Sequence, residues 1–319
     1  MRYKSWIFIG ILCITGTVFL IGTRLKNKPK TDPLEFPWSE IRKDHLLGIE
    51  SVLYQKNKKF QYKILREQNT WHLEEPLQIE ALPEKAILLA NSFLTMQPLE
   101  KISDISAEDY KAYGFSEPRL EVQAIIKNDT NQGFIVGTET RVGNNFYIML
   151  LNQTNTAYAI SGNSLEPFLA GASALINNNI FTEPSDSVQG IKFRNFQGKE
   201  IFFIKRDNFW VQIYPENNTE KDWGLRRFIL HAKNLYFYPQ SIIFSANHQQ
   251  LQEAGINTNT APYLTLIFED KISSVFLGNK QENGYAVYIP TLNILAAIPI
   301  DIADTVFNID SNDFKIRQK

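Results

Sequence analysis

The sequence predicts an α+β protein, with an N-terminal transmembrane helix followed by two tandem α+β repeats of mainly antiparallel sheet. Three observations predict it. The uncharged run Trp6 to Gly22 stands between basic flanks. Apolar residues alternate along short stretches bounded by Asn, Asp, Gly and Pro, the pattern of antiparallel hairpins. A set of landmarks also returns in the same order at an offset of 138 to 141 residues.

The N-terminal run comes first in the chain. Arg2 and Lys4 precede it; Arg24, Lys26, Lys28 and Lys30 follow. Its length is the short end of what spans a bilayer at ~1.5 Å per residue, and Trp6 sits where an interfacial aromatic belongs. Residues 1–23 read as an uncleaved signal anchor in preference to two alternatives. A cleaved signal peptide wants a small-x-small site, and Gly22-Thr23 is followed at once by Arg24. A lipoprotein signal ending at Cys13 wants a small residue where Leu12 stands. The short basic N-tail is the layout of an anchor with its N-terminus inside, whereas the richer C-terminal flank argues the reverse. The expectation adopted is an inner-membrane, single-pass protein with its C-terminal region outside the cytoplasm. Residues 24–46, with Pro29, Pro33, Pro37 and many charges, read as an extended tether.

The rest divides into repeat 1 (47–183) and repeat 2 (184–319), joined near Thr182 to Asp186. Asn69-Thr70-Trp71 with Pro76 returns as Asn208-Phe209-Trp210 with Pro215. Tyr113-Gly114-Phe115 is matched by Ala254-Gly255-Ile256. Gly137, Gly143 and Tyr147 are matched by Gly278, Gly284 and Tyr288, and Ala159-Ile160 by Ala297-Ile298. In each copy a hairpin comes first. Phe60, Tyr62 and Ile64 alternate, Glu67-Gln68-Asn69 breaks the run, and Trp71 and Leu73 resume it; Ile201 to Ile213 does the same around Asp207-Asn208. Proline ends the second strand of each. A helix follows, over Pro83 to Met96 with Ile87, Leu88, Phe93 and Leu94 inward, and over Glu220 to Leu235 with Leu225, Phe228, Ile229 and Ala232 inward. A short helix then ends at Gly114 or Gly255 in a left-handed cap. Strands come next at Leu120 to Lys127, Phe134 to Gly137 and Asn145 to Leu151. Their counterparts are Tyr263 to Glu269, Ser274 to Gly278 and Tyr285 to Ile289. The glycines Gly137, Gly143, Gly278 and Gly284 flank a hairpin turn where positive φ is expected.

Composition bounds function. A net charge of −1 argues against nucleic acid as the partner. The lone cysteine, Cys13, excludes intrachain disulfides and Cys-based zinc sites. High Phe and Tyr content favours strands.

These segments resemble the bacterial family of the domain of unknown function 4340. The resemblance is carried by Trp71 to Pro76, by Tyr113-Gly114-Phe115-Ser116-Glu117-Pro118 and by Gly137 to Tyr147, and more loosely by residues 188–307, where Gly255 is followed by Pro262 after a longer gap. Phe115 and Ile256 replace the usual leucine. The resemblance implies a membrane-anchored envelope protein encoded beside gliding-motility-type ABC transporter components. It therefore implies possible transporter permease or auxiliary subunits as partners, and it brings no catalytic residues.

The search for chemistry gives no catalytic, cofactor-binding or metal residues, and no cofactor. His45, His72, His231 and His248 stand at no metal-ligand spacing, and no nucleophile elbow, zincin motif or phosphate loop is present. Asp301, Asp304, Asp310 and Asp313 fit no calcium loop. Tyr236-Phe237-Tyr238 with Trp223 reads as aromatic packing or, alternatively, as a partner surface; Trp71 and Trp210 read as core. The sequons at Asn128, Asn152 and Asn217 carry no argument. The expectation is a non-enzymatic binding or assembly module accessory to an ABC-type transport or gliding-type complex. The alternatives are an envelope hydrolase with a site between the repeats, and a small-molecule or lipid-binding protein.

Overall fold

The computed structural model describes residues 34–55, 58–127, 129–207, 209–215, 217–220, 223–309 and 314. The apolar run Trp6 to Gly22 lies outside them. Among the described residues no helix is long and apolar enough to cross a membrane.

The first half opens with a meander of β1 (Leu46–Gln55), β2 (Lys58–Glu67), β3 (Thr70–Glu75) and β4 (Ile79–Glu80). After helix α1 (Pro83–Thr95) come β5 (Glu100–Ser103) and α2 (Ala107–Ala112). Strands β6 (Leu120–Ile126), β7 (Asp129–Glu139), β8 (Asn145–Leu150) and β9 (Thr156–Ser161) then lead to α3 (Gly162–Leu169). The second half repeats the series as β10 (Gly190–Arg194), β11 (Glu200–Arg206), β12 (Phe209–Tyr214), β13 (Asn217–Glu220), α4 (Trp223–Lys233), β14 (Ile243–Phe244), α5 (His248–Glu253), β15 (Tyr263–Ile267), β16 (Ile272–Gln281), β17 (Gly284–Ile289), β18 (Ile294–Ile298) and α6 (Ile300–Phe307). Two nine-stranded sheets result, with orders β4-β3-β2-β1-β6-β7-β8-β9-β5 and β13-β12-β11-β10-β15-β16-β17-β18-β14. Each position in one sheet has its counterpart in the other, and neighbouring strands run antiparallel. The architecture is mixed α and β with antiparallel sheets, the α+β class.

Local sequence accounts for the elements. In β6, Leu120, Val122, Ala124 and Ile126 are buried while the residues between them are half-buried, the period-two pattern of a strand packed harder on one face. Pro83 opens α1, where its missing N–H costs nothing. Serine and asparagine start the short helices in capping boxes, Ser106 with Asp109 in α2 and Asn247 with Gln250 in α5. Gly114 and Gly255 follow at φ +80° and +71°.

Several expectations need correction. Residues 34–44 are no free tether, because Phe36 and Trp38 are buried in the first core. Trp38 stacks on Phe36 and Phe93 at 4.7 and 4.8 Å between ring centres. Two aromatic rings that each cover large apolar area outweigh the charged residues around them. In α1 the inward stripe is Ala86, Leu89, Ala90, Phe93 and Leu94; Ile87 and Leu88 are half-exposed. Glu220, expected to open the second long helix, instead ends β13, which adds to β12. Of the hairpin glycines, Gly143 has positive φ. Gly137 and Gly278 answer to a different need. A Cβ on either would meet the carbonyl oxygen of Tyr113 or Ala254 at 1.9 or 2.1 Å. Those carbonyls accept from the next residues, Thr138 N–H and Asn279 N–H, each at 2.8 Å. The left-handed residues of the first hairpins are Gln68 and Asp207, so in the first the bend falls one residue before Asn69.

The two halves share one continuous core. Leu82 N–H donates to Leu175 O on the first side at 2.8 Å, and Ile180 N–H to Leu235 O on the second at 2.9 Å. The chain therefore changes sides around Ile176 to Asn178, some residues before Thr182. Phe237, fully buried, donates its N–H to Asn178 O at 3.0 Å, so the Tyr236 to Tyr238 segment serves the junction.

Candidate functional site

A groove of about 660 Å³ runs between the halves. Its first wall comes from an overhang in the β1–β2–β3 meander. Strand β2 is ten residues long, but β3 pairs with it only from Lys63↔Glu75 to Glu67↔Thr70. Pro76 ends β3, since proline has no N–H to give a ladder. Residues Lys58 to Tyr62 therefore pair with β1 on one side, and no described strand pairs with their other side. The opposite wall is built by Pro239 to Phe244. It carries β14, which pairs with β18 and ends the second sheet. Leu169 to Ser173, following α3, form the floor.

Apolar side chains are exposed along the groove: Phe60 is 50 % accessible, Ile243 40 % and Leu169 37 %. The charged residues lining it are Lys58 and Lys59. Tyr62, at its inner end, donates to Phe168 O at 3.2 Å. Burial pushes its phenol well above the ordinary tyrosine value, with the neighbouring Ser51 hydroxyl pulling weakly the other way. Ser51 lies opposite Tyr62 in the strand register and is fully buried. Its hydroxyl has no hydrogen bond of normal geometry among the described residues.

The second sheet treats the corresponding position differently. Arg194 sits opposite Glu200 and Tyr263 in the ladder, where the first sheet has Leu53 opposite Phe60 and Leu120. Arg194 pairs with Glu200 at 2.5 Å and donates to Asn259 O at 2.6 Å, which pins the loop before β15. Its guanidinium lies 5.1 Å over the Tyr263 ring. Burial, then the Glu200 charge and hydrogen bond, push the Tyr263 phenol up to about 12 against the opposing Arg194 charge. The position is thus closed by an ion pair in one half and left as an open apolar edge in the other.

Two smaller depressions lie elsewhere. One of about 570 Å³ surrounds the end of α5, between His248 and Asn259; one of about 340 Å³ lies by Trp210 and Arg226. At the junction, Lys233 donates to the carbonyls of Phe181 and Glu183, and Glu183 pairs with Lys271. Burial lowers the Lys233 ammonium, with the Glu183 charge opposing.

The structure keeps the four histidines on separate elements, and no group of three metal-ligating side chains occurs among the described residues. Asp304 accepts from the Tyr285 hydroxyl at 3.1 Å; Asp310 and Asp313 lie outside the described residues. Trp71 and Trp210 are buried under their hairpins. The side chain of Trp223 lies outside what is described. The sequence shows Phe60 alternating with Tyr62 and Ile64, and a site between the repeats stands in it only as the hydrolase alternative, without lining residues. The signal was there in counting back from the turn at Gln68: alternation runs to Lys58 on one strand, and Pro76 stops the other much sooner.

Residues 71–225, from β3 into α4, match the family model described as Domain of unknown function (DUF4340). No curated protein and no solved structure matches the chain.

Proposed function

For a chain whose residues 71–225 match the family model of the domain of unknown function 4340, we propose a non-enzymatic role as a binding or assembly module held at a membrane. The observation that carries this reading is the inter-half groove, with an open strand edge on one wall and a terminal strand on the other. Sheet edges that stay unpaired are sites of association between chains. The apolar run Trp6 to Gly22 with its basic flanks supports an inner-membrane anchor, and the short basic N-tail supports placing the folded region outside the cytoplasm. The family context supports an accessory part in an ABC-type transport or gliding-type complex.

In-cell crosslinking of the full-length protein, followed by affinity purification and mass spectrometry, tests it. Recovery of transporter permease or motility subunits in stoichiometric amounts is the expected result. Recovery of the protein alone overturns the assembly reading. A small-molecule or lipid ligand is the second reading, favoured by the groove's volume, which falls in the range of ligand sites, and by its exposed Phe60, Leu169 and Ile243.

A further inference from the structure

The free edge of β2 has a definite hydrogen-bonding polarity. Glu67 and Thr70 flank a two-residue turn, so they form the first bonded pair of the β2–β3 ladder, and bonding then alternates along β2. Odd-numbered residues of β2 direct their N–H and C=O towards the β3 side. Gln55 and Lys58 flank the other hairpin and give the same parity, with even-numbered residues bonding to β1. The bulge beside Lys63 adds its extra residue to β3, so the alternation along β2 is unbroken. Beyond the end of β3, the main-chain groups of Lys59 and Gln61 therefore point into the groove. The edge from Lys58 to Tyr62 is ~17 Å long at the usual rise per residue.

We propose that this edge takes an extended acidic peptide segment of a partner protein as an added antiparallel or parallel strand. The proposal rests on the binding-module reading above and names the class of partner. Strand addition draws affinity from main-chain bonds and selectivity from alternate side chains. On one face of the added strand, side chains meet Phe60, Leu169 and Ile243, which select apolar residues. At the open tip they meet Lys58 and Lys59, the charged residues lining the groove, which select carboxylates. Among the described residues the second half has no equivalent dock. Its β10–β11 hairpin is shorter, and Glu200 is engaged by Arg194.

The test is selection of a random twelve-residue peptide library displayed on phage against the full-length protein in detergent, with two variants in parallel. Gln61→Pro removes an edge N–H that the ladder to β1 does not use, and gives up an exposed side-chain bond to Glu50 at 2.9 Å. Lys58→Glu with Lys59→Glu reverses the charge at the rim and leaves the ladder intact. The expected result is enrichment of peptides that carry apolar residues at alternate positions with Asp or Glu towards one end. These should bind Gln61→Pro at least tenfold more weakly and lose the acidic preference on the double variant, with far-UV circular dichroism unchanged. Enrichment that is equal on wild type and on a folded Gln61→Pro overturns the proposal, as does enrichment of basic peptides or of none. Photocrosslinks from a reactive residue at position 60 to residues 1–33 of the same chain overturn it too. Subunits recovered equally by wild type and Gln61→Pro in the in-cell experiment would sink the strand dock and leave the assembly reading standing; no subunits from either would sink the assembly reading itself.

Discussion

Replacing Trp38 separates a packed N-terminal strap from a solvated tether. The side chain is fully buried, stacked between Phe36 and Phe93, with Phe134 6.0 Å away. Truncating a buried tryptophan to alanine costs ~3–5 kcal/mol. Against this, the Trp38 Nε1–H is buried with no hydrogen-bond partner among the described residues, and removing an unsatisfied buried donor returns ~1–3 kcal/mol. Taking the middle of each range, the expected net loss for Trp38→Ala is about 2 kcal/mol. Trp38→Phe keeps a ring in the stack and removes the orphan donor, so it should lie within about 1 kcal/mol of wild type. At roughly 2–4 °C per kcal/mol for a unit of this size, the alanine variant should melt about 4–8 °C below wild type. The assay is thermal and urea unfolding of the full-length protein followed by far-UV circular dichroism. Equal midpoints for the alanine and phenylalanine variants, both near wild type, would refute the reasoning and return residues 34–44 to the status of a tether.

Gly137→Ala and Gly278→Ala should each lower the unfolding free energy measured in urea by about 1–3 kcal/mol, because the added Cβ drives apart a carbonyl and the main-chain bond it accepts; an alanine at Gly171 meets open space, but φ +70° with ψ −174° is a region that essentially only glycine enters, so it should cost ~1–3 kcal/mol through backbone strain alone. At Glu183, burial pushes the carboxyl up, but the Lys271 hydrogen bond and charge, with main-chain and Thr182 bonds, hold it below its ordinary 4.5. A folded pKa that is depressed stabilises above the unfolded value and loses that stabilisation as pH falls. The unfolding midpoint should therefore drop as pH is lowered from about 4.5, and Glu183→Gln should flatten that part of the profile measured in parallel. An unchanged slope would show that the pair is screened by solvent.

Much of the fold was legible in the chain because the relevant forces are local. Turn residues such as Gln68-Asn69, the glycine caps at Gly114 and Gly255, and the apolar stripe Leu225, Phe228, Ile229 and Ala232 each follow from backbone sterics or periodicity within a few residues. The recurring landmarks mark places where the same local geometry is required in both halves. Strands β9 and β18, five or six residues of nearly continuous burial, were visible only as the landmark Ala-Ile, because a run buried on both faces has no alternation to read. The stripe of α1 was misread at Ile87 and Leu88 because an apolar side chain does not reveal which face finds a partner.

The α+β class, the order of elements and the hairpin positions could be read along the chain, since each is set by contacts within a turn or between adjacent strands. Packing between distant elements settled the rest. It buried Trp38 against Phe93, moved the crossing between halves to Ile176 to Asn178, and brought β14 opposite the overhang of β2. Those outcomes depend on which distant surfaces exclude water together. That is a property of the packed whole, which no window of the chain contains.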